Sequence, residues 1–411
     1  MTARRVQAIT TAITARELPA VVPLSIGVSS CSDMERVIAY FLPQFFSTPE
    51  NDRYWGEGFT EWTNVRNAKP RFEGHKQPLA PAFGYYDLSR FDHLRSVASE
   101  ARGVGVDGFA YWHYWFGSDA AALRDIPETH LSSGIENEFF FAWDNKSWTT
   151  SWVGGEDVIF AQEYSDESAC QHYEYLRPFL EDQRYVRIDG QPTLQVNHAH
   201  QQGAQEHMAI LEQLLWHDRR ERFHWLWPVA KRPARSFRRG RLHSLVGFPP
   251  GDVLATSPTL RVQQALARVR RSMGGPRETT PNGPVRVSQD RYVRAFRRRV
   301  WIDQTRFRNY LPCALSGWDN TPRYGTAGTV IEGQIDELLR RQLAILRSRP
   351  SARHPFLLVK AWNEWAEGNI LEPYAAPSRS GYPGRLLRAP SLASASPAAL
   401  TPDEVDRLRI V

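Results

Sequence analysis

The sequence predicts an α/β fold, a (β/α)8 TIM barrel, and two observations carry that expectation. Eight short apolar runs of strand character alternate with helix-like stretches from Val37 to Ala361, which is the pattern of parallel βα units. Polar and aromatic residues crowd the positions just after these runs, where a barrel gathers its chemistry. A doubly wound open sheet is the alternative architecture. No Gly-x-Gly-x-x-Gly follows a strand-like run, so a dinucleotide-binding fold has no support.

The first strand is expected from Val37 to Phe41, with a long aromatic loop after it and a helix from Ser89 to Arg102. The second is expected from Asp107 to Trp112 and the third from Glu138 to Trp143. Tyr173, Leu176, Phe179 and Leu180 then fall at helical spacing. The fourth strand is expected from Thr193 to Val196, and Met208, Leu211, Leu214 and Leu215 mark the helix that follows. A fifth strand is expected from Phe223 to Val229, a weak sixth from Leu242 to Val246, and a seventh from Leu311 to Leu315. The helix carrying Ile335, Leu338, Leu339, Leu343 and Leu346 leads to the eighth, from Phe356 to Ala361.

Residues 251–300 interrupt the alternation as a basic insertion late in the barrel. Gly274-Gly275-Pro276 and Pro281-Asn282-Gly283-Pro284 mark turns or disorder there, and helical character returns near Tyr292 to Trp301. The chain then divides into an N-terminal arm over 1–35, a catalytic domain over 36–387 and a flexible Ala/Ser/Pro-rich tail over 388–411.

With 411 residues, 42% of them hydrophobic, the chain can bury a large core. No run reaches the roughly 18 apolar residues of a membrane helix, and no clear signal peptide is visible, so a cytoplasmic location is expected. Cys31, Cys170 and Cys313 form neither a metal spacing nor a disulfide framework, and no cofactor or metal is expected. The net charge of +6 is concentrated in Lys231 to Arg241, in Arg268, Arg270 and Arg271, and in Arg291, Arg294, Arg297, Arg298 and Arg299. Such clusters suit phosphate, nucleic acid or an anionic membrane surface. No aromatic-basic motif for nucleic acid accompanies them. The expected partner is an oligo- or polysaccharide, with peripheral membrane or lipid-linked glycan contact through the basic insertion.

The most informative segment is Phe356-Leu-Leu-Val-Lys-Ala-Trp-Asn-Glu-Trp-Ala-Glu-Gly368. A strand-like run opens into two carboxylates, Glu364 and Glu367, boxed by Trp362 and Trp365. Apolar walls keep one acid of such a pair protonated while the other stays charged, as glycoside cleavage requires. The other strand ends repeat the polar-aromatic pairing, and sugars need both hydrogen-bonding groups and flat apolar faces. The residues expected to contact substrate are Gln44, Trp55, Glu61 and Trp62 after the first strand, Trp112 and His113 after the second, and Asn145 and Trp148 after the third. Trp318, Asp319 and Arg323 follow the seventh, and Trp362, Asn363 and Trp365 flank the glutamates.

Five motifs together resemble a known family. They are Phe41-Leu-Pro-Gln-Phe45, Gly58-Phe-Thr-Glu-Trp62, Asp107-Gly-Phe109, Trp318-Asp-Asn-Thr-Pro-Arg323 and Ala361-Trp-Asn-Glu-Trp-Ala-Glu-Gly368. This set resembles the WbsX proteins, also described as glycoside hydrolase family 99-like, from about Arg36 to about Leu387. The resemblance implies a (β/α)8 barrel, a link to the endo-acting α-mannosidases, and association with O-antigen or other polysaccharide biosynthesis. It implies that Glu367 is the general acid. It also implies that Glu364 deprotonates the sugar 2-hydroxyl, which then displaces the leaving group through a 1,2-anhydro sugar with net retention.

Three departures stand out. Trp143-Asp-Asn-Lys-Ser-Trp-Thr149 carries Lys146 where the family commonly has an acid. That lysine suits a substrate carboxylate or phosphate, or it marks a relaxed activity. Gly381-Tyr-Pro-Gly384 is a degenerate form of a tyrosine-rich segment, and the basic insertion has no counterpart. Beside retaining hydrolysis, two readings stay open: glycosyl transfer from an activated donor, although no Asp-x-Asp motif is present, and a non-catalytic glycan-binding barrel.

Overall fold

The computed structural model describes residues 36–375 except 83, 119, 151–156, 273–282 and 349–355, together with 386–387. The expected arm over 1–35, the tail over 388–411, Gly274-Gly275-Pro276 and the Gly381–Gly384 segment lie outside the described residues. What is described belongs to one compact unit, Glu35–Val411.

Its centre is a closed parallel barrel. The strands are β1 (Val37–Phe41), β2 (Gly108–Gly117), β3 (Glu138–Trp143), β4 (Gln191–Val196), β5 (His224–Pro228) and β6 (His243–Val246). The seventh position, β7, is two pieces, Tyr310–Leu311 and Cys313–Leu315, and β8 is Leu357–Lys360. The first piece of β7 pairs with β6 and the second with β8, while β8 pairs with β1. Pro312 separates the two pieces because it has no N–H to give to a ladder. The ring of eight positions therefore closes, as the sequence predicts.

The interior is apolar and aromatic. Ile38, Ala39, Tyr40 and Phe41 of β1, Phe109 to Tyr111 of β2 and Phe140 to Trp143 of β3 are fully buried. Gly108 opens β2 because a Cβ there would sit 2.5 Å from the Glu138 carbonyl oxygen of the neighbouring strand. β2 also runs five residues beyond its expected end at Trp112, to Gly117. His113 stays in register opposite Trp143, and every residue of the strand is buried. The polar-aromatic composition that reads as a loop is here a strand whose polar members find buried partners.

The 251–300 region packs as a second small core. Helices Gly251–Leu254, Pro258–Ser272 and Gln289–Arg306 surround the strand Val285–Ser288, which pairs in parallel with Thr329–Glu332. Leu254, Leu260, Val287, Tyr292, Phe296 and Val300 pack there with Ile331 and Leu338. Tyr292, Phe296 and Val300 share one face of their helix, while Arg294 and Arg298 are exposed on another. Arg299 is spent on Asp303 at 2.6 Å. Most of this arginine cluster is thus the polar side of an amphipathic helix.

Beside the barrel, His113, His172 and His207 form a buried relay. His113 Nε2 and His172 Nε2 are 2.8 Å apart, and His172 Nδ1 lies 3.0 Å from His207 Nε2. His172 stacks on Trp115 at 4.8 Å. A neutral imidazole has one donor and one acceptor nitrogen, so such a chain holds together without charge. Burial pushes His113 and His207 down to about 3 and holds His172 well below its ordinary value. His130 and His224, also buried, fall to about 4.

An unfolded chain titrates its histidines near ~6.5. Between that pH and the depressed folded values, the unfolded state binds protons that the folded state refuses. Stability present above pH ~6.5 is therefore lost as the pH falls through this window. Guanidinium unfolding followed at pH 7 and at pH 4.5 checks this: the midpoint is expected to drop at the lower pH, and an unchanged midpoint contradicts it.

Candidate active site

The segment after β8 places two carboxylates on one small turn. Asn363–Glu364 pairs antiparallel with Asn369–Ile370, and Trp365–Glu367 between them is a single 3-10 turn. Glu364 leads into that turn and Glu367 ends it, and both line one cleft. Gly368 ends the turn at φ 58°, and a Cβ there would meet the Asp319 backbone nitrogen at 2.8 Å. The close approach lets Asp319 N–H donate to the Glu367 carbonyl at 2.7 Å. From the other side, Asn363 accepts from Leu42 N–H at 2.7 Å and donates to its carbonyl at 3.0 Å, tying the turn to the end of β1.

Both glutamates face a cleft of about 380 Å³ at the C-terminal mouth of the barrel. Gln44, Trp55, Glu61, Trp112, Trp148 and Arg323 also line it. Arg323 is its electrostatic centre. Its Nη1 donates to Glu367 at 2.8 Å, while its Nη2 lies 3.3 Å from Glu61 and 3.8 Å from Glu364. Two short helices deliver these groups. Thr60 caps the helix Glu61–Arg66 through a capping box with Thr63, which sets Glu61 in the first turn. Pro322 starts the four-residue helix Thr321–Tyr324 that carries Arg323.

The two glutamates differ in charge. Burial and the neighbouring Glu367 push Glu364 up to about 7, against the opposing pull of Arg323, Lys360 and the Trp112 hydrogen bond. Trp112 Nε1 donates to Glu364 at 2.7 Å. Burial also works to raise Glu367, but Lys360, Arg323 and Lys146 outweigh it and hold that carboxyl below its ordinary value. Lys360 Nζ is 3.7 Å from Glu367. The pair therefore shares one proton near neutrality, and in the free cleft that proton rests on Glu364. The surrounding carboxylates hold Arg323 firmly cationic despite its burial.

A family model described as "Glycosyltransferase WbsX" matches residues 37–380. The chain belongs to the WbsX family. The family's description is that of a carbohydrate-active enzyme. Two relatives, each described as the uncharacterized protein WxcX, come from two strains of Xanthomonas campestris pv. campestris. Each is 32% identical over 388 residues, covering 88% of this chain and 51% of the relative. The chain thus spans about half the length of the curated relatives it matches. Among solved structures it is similar to a "Glycoside hydrolase-like protein" at 12% identity and TM-score 0.53, covering 89% of this chain and 94% of that one. That likeness is one of fold. A GH99 endo-alpha-mannosidase from Bacteroides thetaiotaomicron matches at 11% identity and TM-score 0.46, over 91% of this chain and 97% of that one.

The other expected contact residues of this WbsX chain lie behind the cleft wall. Trp62 is buried, donating to the Tyr86 carbonyl at 2.7 Å and packing against Trp365 at 5.5 Å. Trp362 and Trp365 are fully buried and both donate to Glu372, which also accepts from Tyr86. Asn145 accepts from His198 N–H at 2.7 Å and donates to Tyr164 at 2.8 Å, so it orients the loop after β4. His113 belongs to the histidine relay. Asp319 turns away from Arg323, accepting from Gln77 at 2.6 Å and meeting His75 at 2.7 Å. Trp318 and Asp319 line a neighbouring cavity of about 330 Å³.

Further residues reach the cleft or support it beyond those expected to contact substrate. Tyr114, Lys231, Tyr324 and Lys360 line the cleft, and Glu372 braces Trp362 and Trp365 behind its wall. Lys360 is the lone charge in an otherwise apolar strand, and that was the available signal. Among the described residues of the arginine-rich clusters, Lys231 of the first contributes to the lining. Among the described residues no group of three or more His, Cys, Asp or Glu side chains is placed to hold a metal ion. No helix among them is long and apolar enough to cross a membrane.

Arg323→Met leaves Glu61, Glu364 and Glu367 without their shared cation. Breaking a buried pair by removing one partner costs about 3–5 kcal/mol, so the variant should unfold at a markedly lower denaturant concentration than the native protein. A stability within about 0.5 kcal/mol of native, the range of an ordinary surface substitution, would show that the hub is not structural.

Proposed function

We propose that this WbsX protein cleaves an α-mannose-like glycosidic bond in a bacterial surface polysaccharide, with net retention, through Glu364 and Glu367. The observation that carries the reading is two carboxylates that face the same cleft from one turn, one held up by burial and the other held down by Lys360 and Arg323, with Trp55, Trp112 and Trp148 on its walls. The roles follow those the resemblance implies. Glu364 takes the proton of the sugar 2-hydroxyl as that oxygen attacks the anomeric carbon, and Glu367 gives its proton to the departing oxygen. Water then opens the 1,2-anhydro sugar, and the two glutamates exchange roles. Because the free cleft loads the proton on Glu364, turnover requires its transfer to Glu367 once substrate is bound. A proton shared by a coupled pair belongs to the pair, and the two placements are macroscopically one protonation state.

Two outcomes test this. The singly protonated pair is the active form and loses its last proton near pH 7. We therefore expect kcat/KM to fall as the pH rises through about 7, with a flat profile from pH 6 to 9 counting against the pair. With an aryl α-mannoside whose leaving group needs no acid, Glu367→Gln should still release a first burst of the aryl alcohol, because only its second step lacks a base, while Glu364→Gln should release none. The opposite pattern exchanges the two roles, and full activity of both variants removes the pair from the chemistry.

The family description favours one second reading. A sugar hydroxyl in place of water would intercept the same intermediate and make the protein a transferase. Longer oligosaccharides among the products, formed only when a sugar acceptor is present, distinguish it from the hydrolase.

A further inference from the structure

Resting on that reading, the opposite wall of the cleft narrows the class of glycan. Lys146 and Lys231 both line it, with Asp144 and His198 between them. Lys146 Nζ lies 3.6 Å from Asp144 Oδ2, and His198 Nε2 lies 3.2 Å from Asp144 Oδ1. Lys231 Nζ is 3.3 Å from the same His198 nitrogen.

Two demands therefore meet on one atom. If His198 Nε2 carries a proton, it donates to Asp144 and offers Lys231 no lone pair. If it carries none, it accepts from Lys231 and leaves that Asp144 oxygen without its donor. One carboxylate cannot satisfy two ammonium groups and this imidazole together. Elsewhere in the cleft, Glu61 and Glu364 pair with Arg323, and Glu367, whose charge Lys146 also feels, pairs with Arg323 and Lys360, so Lys231 gains no carboxylate from them. The balance is visible at both ends of the cluster. Burial works to raise Asp144, yet Lys146, His198 and Lys231 hold its carboxyl well below the usual range. Burial lowers Lys231, with Lys146 and Lys360 adding repulsion against the pull of Asp144.

We infer that Lys146 and Lys231 form a subsite for an acidic group on the glycan, a carboxylate or a phosphate, so that the substrate is an anionic polysaccharide. An anion seated between the two ammonium groups supplies the acceptor that Lys231 lacks and frees His198 to serve Asp144. Charge-assisted hydrogen bonds of this kind are about twice as strong as neutral ones. The same placement gives a chemical meaning to the lysine at position 146, where the resemblance led us to expect an acid.

Three methyl α-D-mannopyranosides that differ only at C6 test the subsite: the neutral sugar, its 6-phosphate and its uronic acid. Binding is read from tryptophan fluorescence, since Trp55, Trp112 and Trp148 line the cleft. At low ionic strength at least one acidic probe should bind about tenfold more tightly than the neutral one, a difference of about 1.4 kcal/mol. That preference should collapse toward unity in Lys146→Gln and in Lys231→Gln, and whichever probe binds better identifies the acidic group. Lys146 is half-exposed, so Lys146→Gln and Lys146→Glu keep the test valid if Lys231→Gln does not fold. Equal affinity for all three probes, or a preference that survives in the Lys146 variants, overturns the inference and leaves the glycan reading standing. Native protein that binds none of the three overturns both.

Discussion

Three carboxylates, Glu61, Glu364 and Glu367, converge on the guanidinium of Arg323 at the mouth of the barrel, and the architecture around them follows from that convergence. A buried unpaired carboxylate costs several kcal/mol, so the four groups must arrive together or not at all. They come from three distant stretches of chain: the loop after β1, the loop after β7 and the turn after β8. The first is brought in by a capped helix, the second by a proline-started helix and the third by a single 3-10 turn. The barrel provides what such a cluster needs, a rigid ring whose loops open onto one face. The same electrostatics make the pair unequal. Lys360 joins Arg323 in close contact with Glu367, while Glu364 has the more distant edge of the guanidinium, a weaker pull from Lys360 and the indole N–H of Trp112. Unequal hold on two neighbouring carboxylates is what leaves one proton between them.

Around this centre a supporting layer fixes positions without lining the cleft. Asn363 clamps the glutamate-bearing turn to β1, Asp319 binds its far end, and Gly368 makes the close approach possible. Glu372 lies beneath, accepting from Tyr86, Trp362 and Trp365. With Trp62, which packs on Trp365, these tryptophans and the tyrosine form the apolar bed under the turn, and their burial keeps water from screening the charges above. The long-range order of the site rests on hydrogen bonds from backbone and side-chain amides, which hold geometry with little net charge.

Much of this was legible in the sequence, for definable reasons. β1 and β3 match their expected limits because short apolar runs bounded by polar residues leave little choice. The glutamate pair was legible because charge seldom follows a buried strand directly. The depth of each aromatic residue was not. Trp362 and Trp365 stand beside the glutamates in sequence, yet a turn sends neighbouring side chains to opposite faces, and both point into the core. His113 reads as a loop residue because composition cannot show that His172 and His207 wait behind it to satisfy it. Lys231 sits in a surface-like arginine cluster, and only the closing of the barrel brings it opposite Lys146. Proximity across the ring is a property of the fold, and no local pattern encodes it. The 251–300 region shows the same limit: its arginines dominate the composition, whereas Tyr292, Phe296 and Val300 decide its structure.

The most direct test of the central claim is the product mixture itself. Purified protein incubated with α-mannan and rhamnan oligosaccharides, neutral and acid-bearing, is compared by mass spectrometry with the Glu364→Gln/Glu367→Gln double variant. If the Arg323-bound pair is the reacting centre, shortened or transferred oligosaccharides form with the native protein and are absent with the double variant. Identical product patterns from both proteins, or no products from the native protein on any of the glycans, would contradict the account.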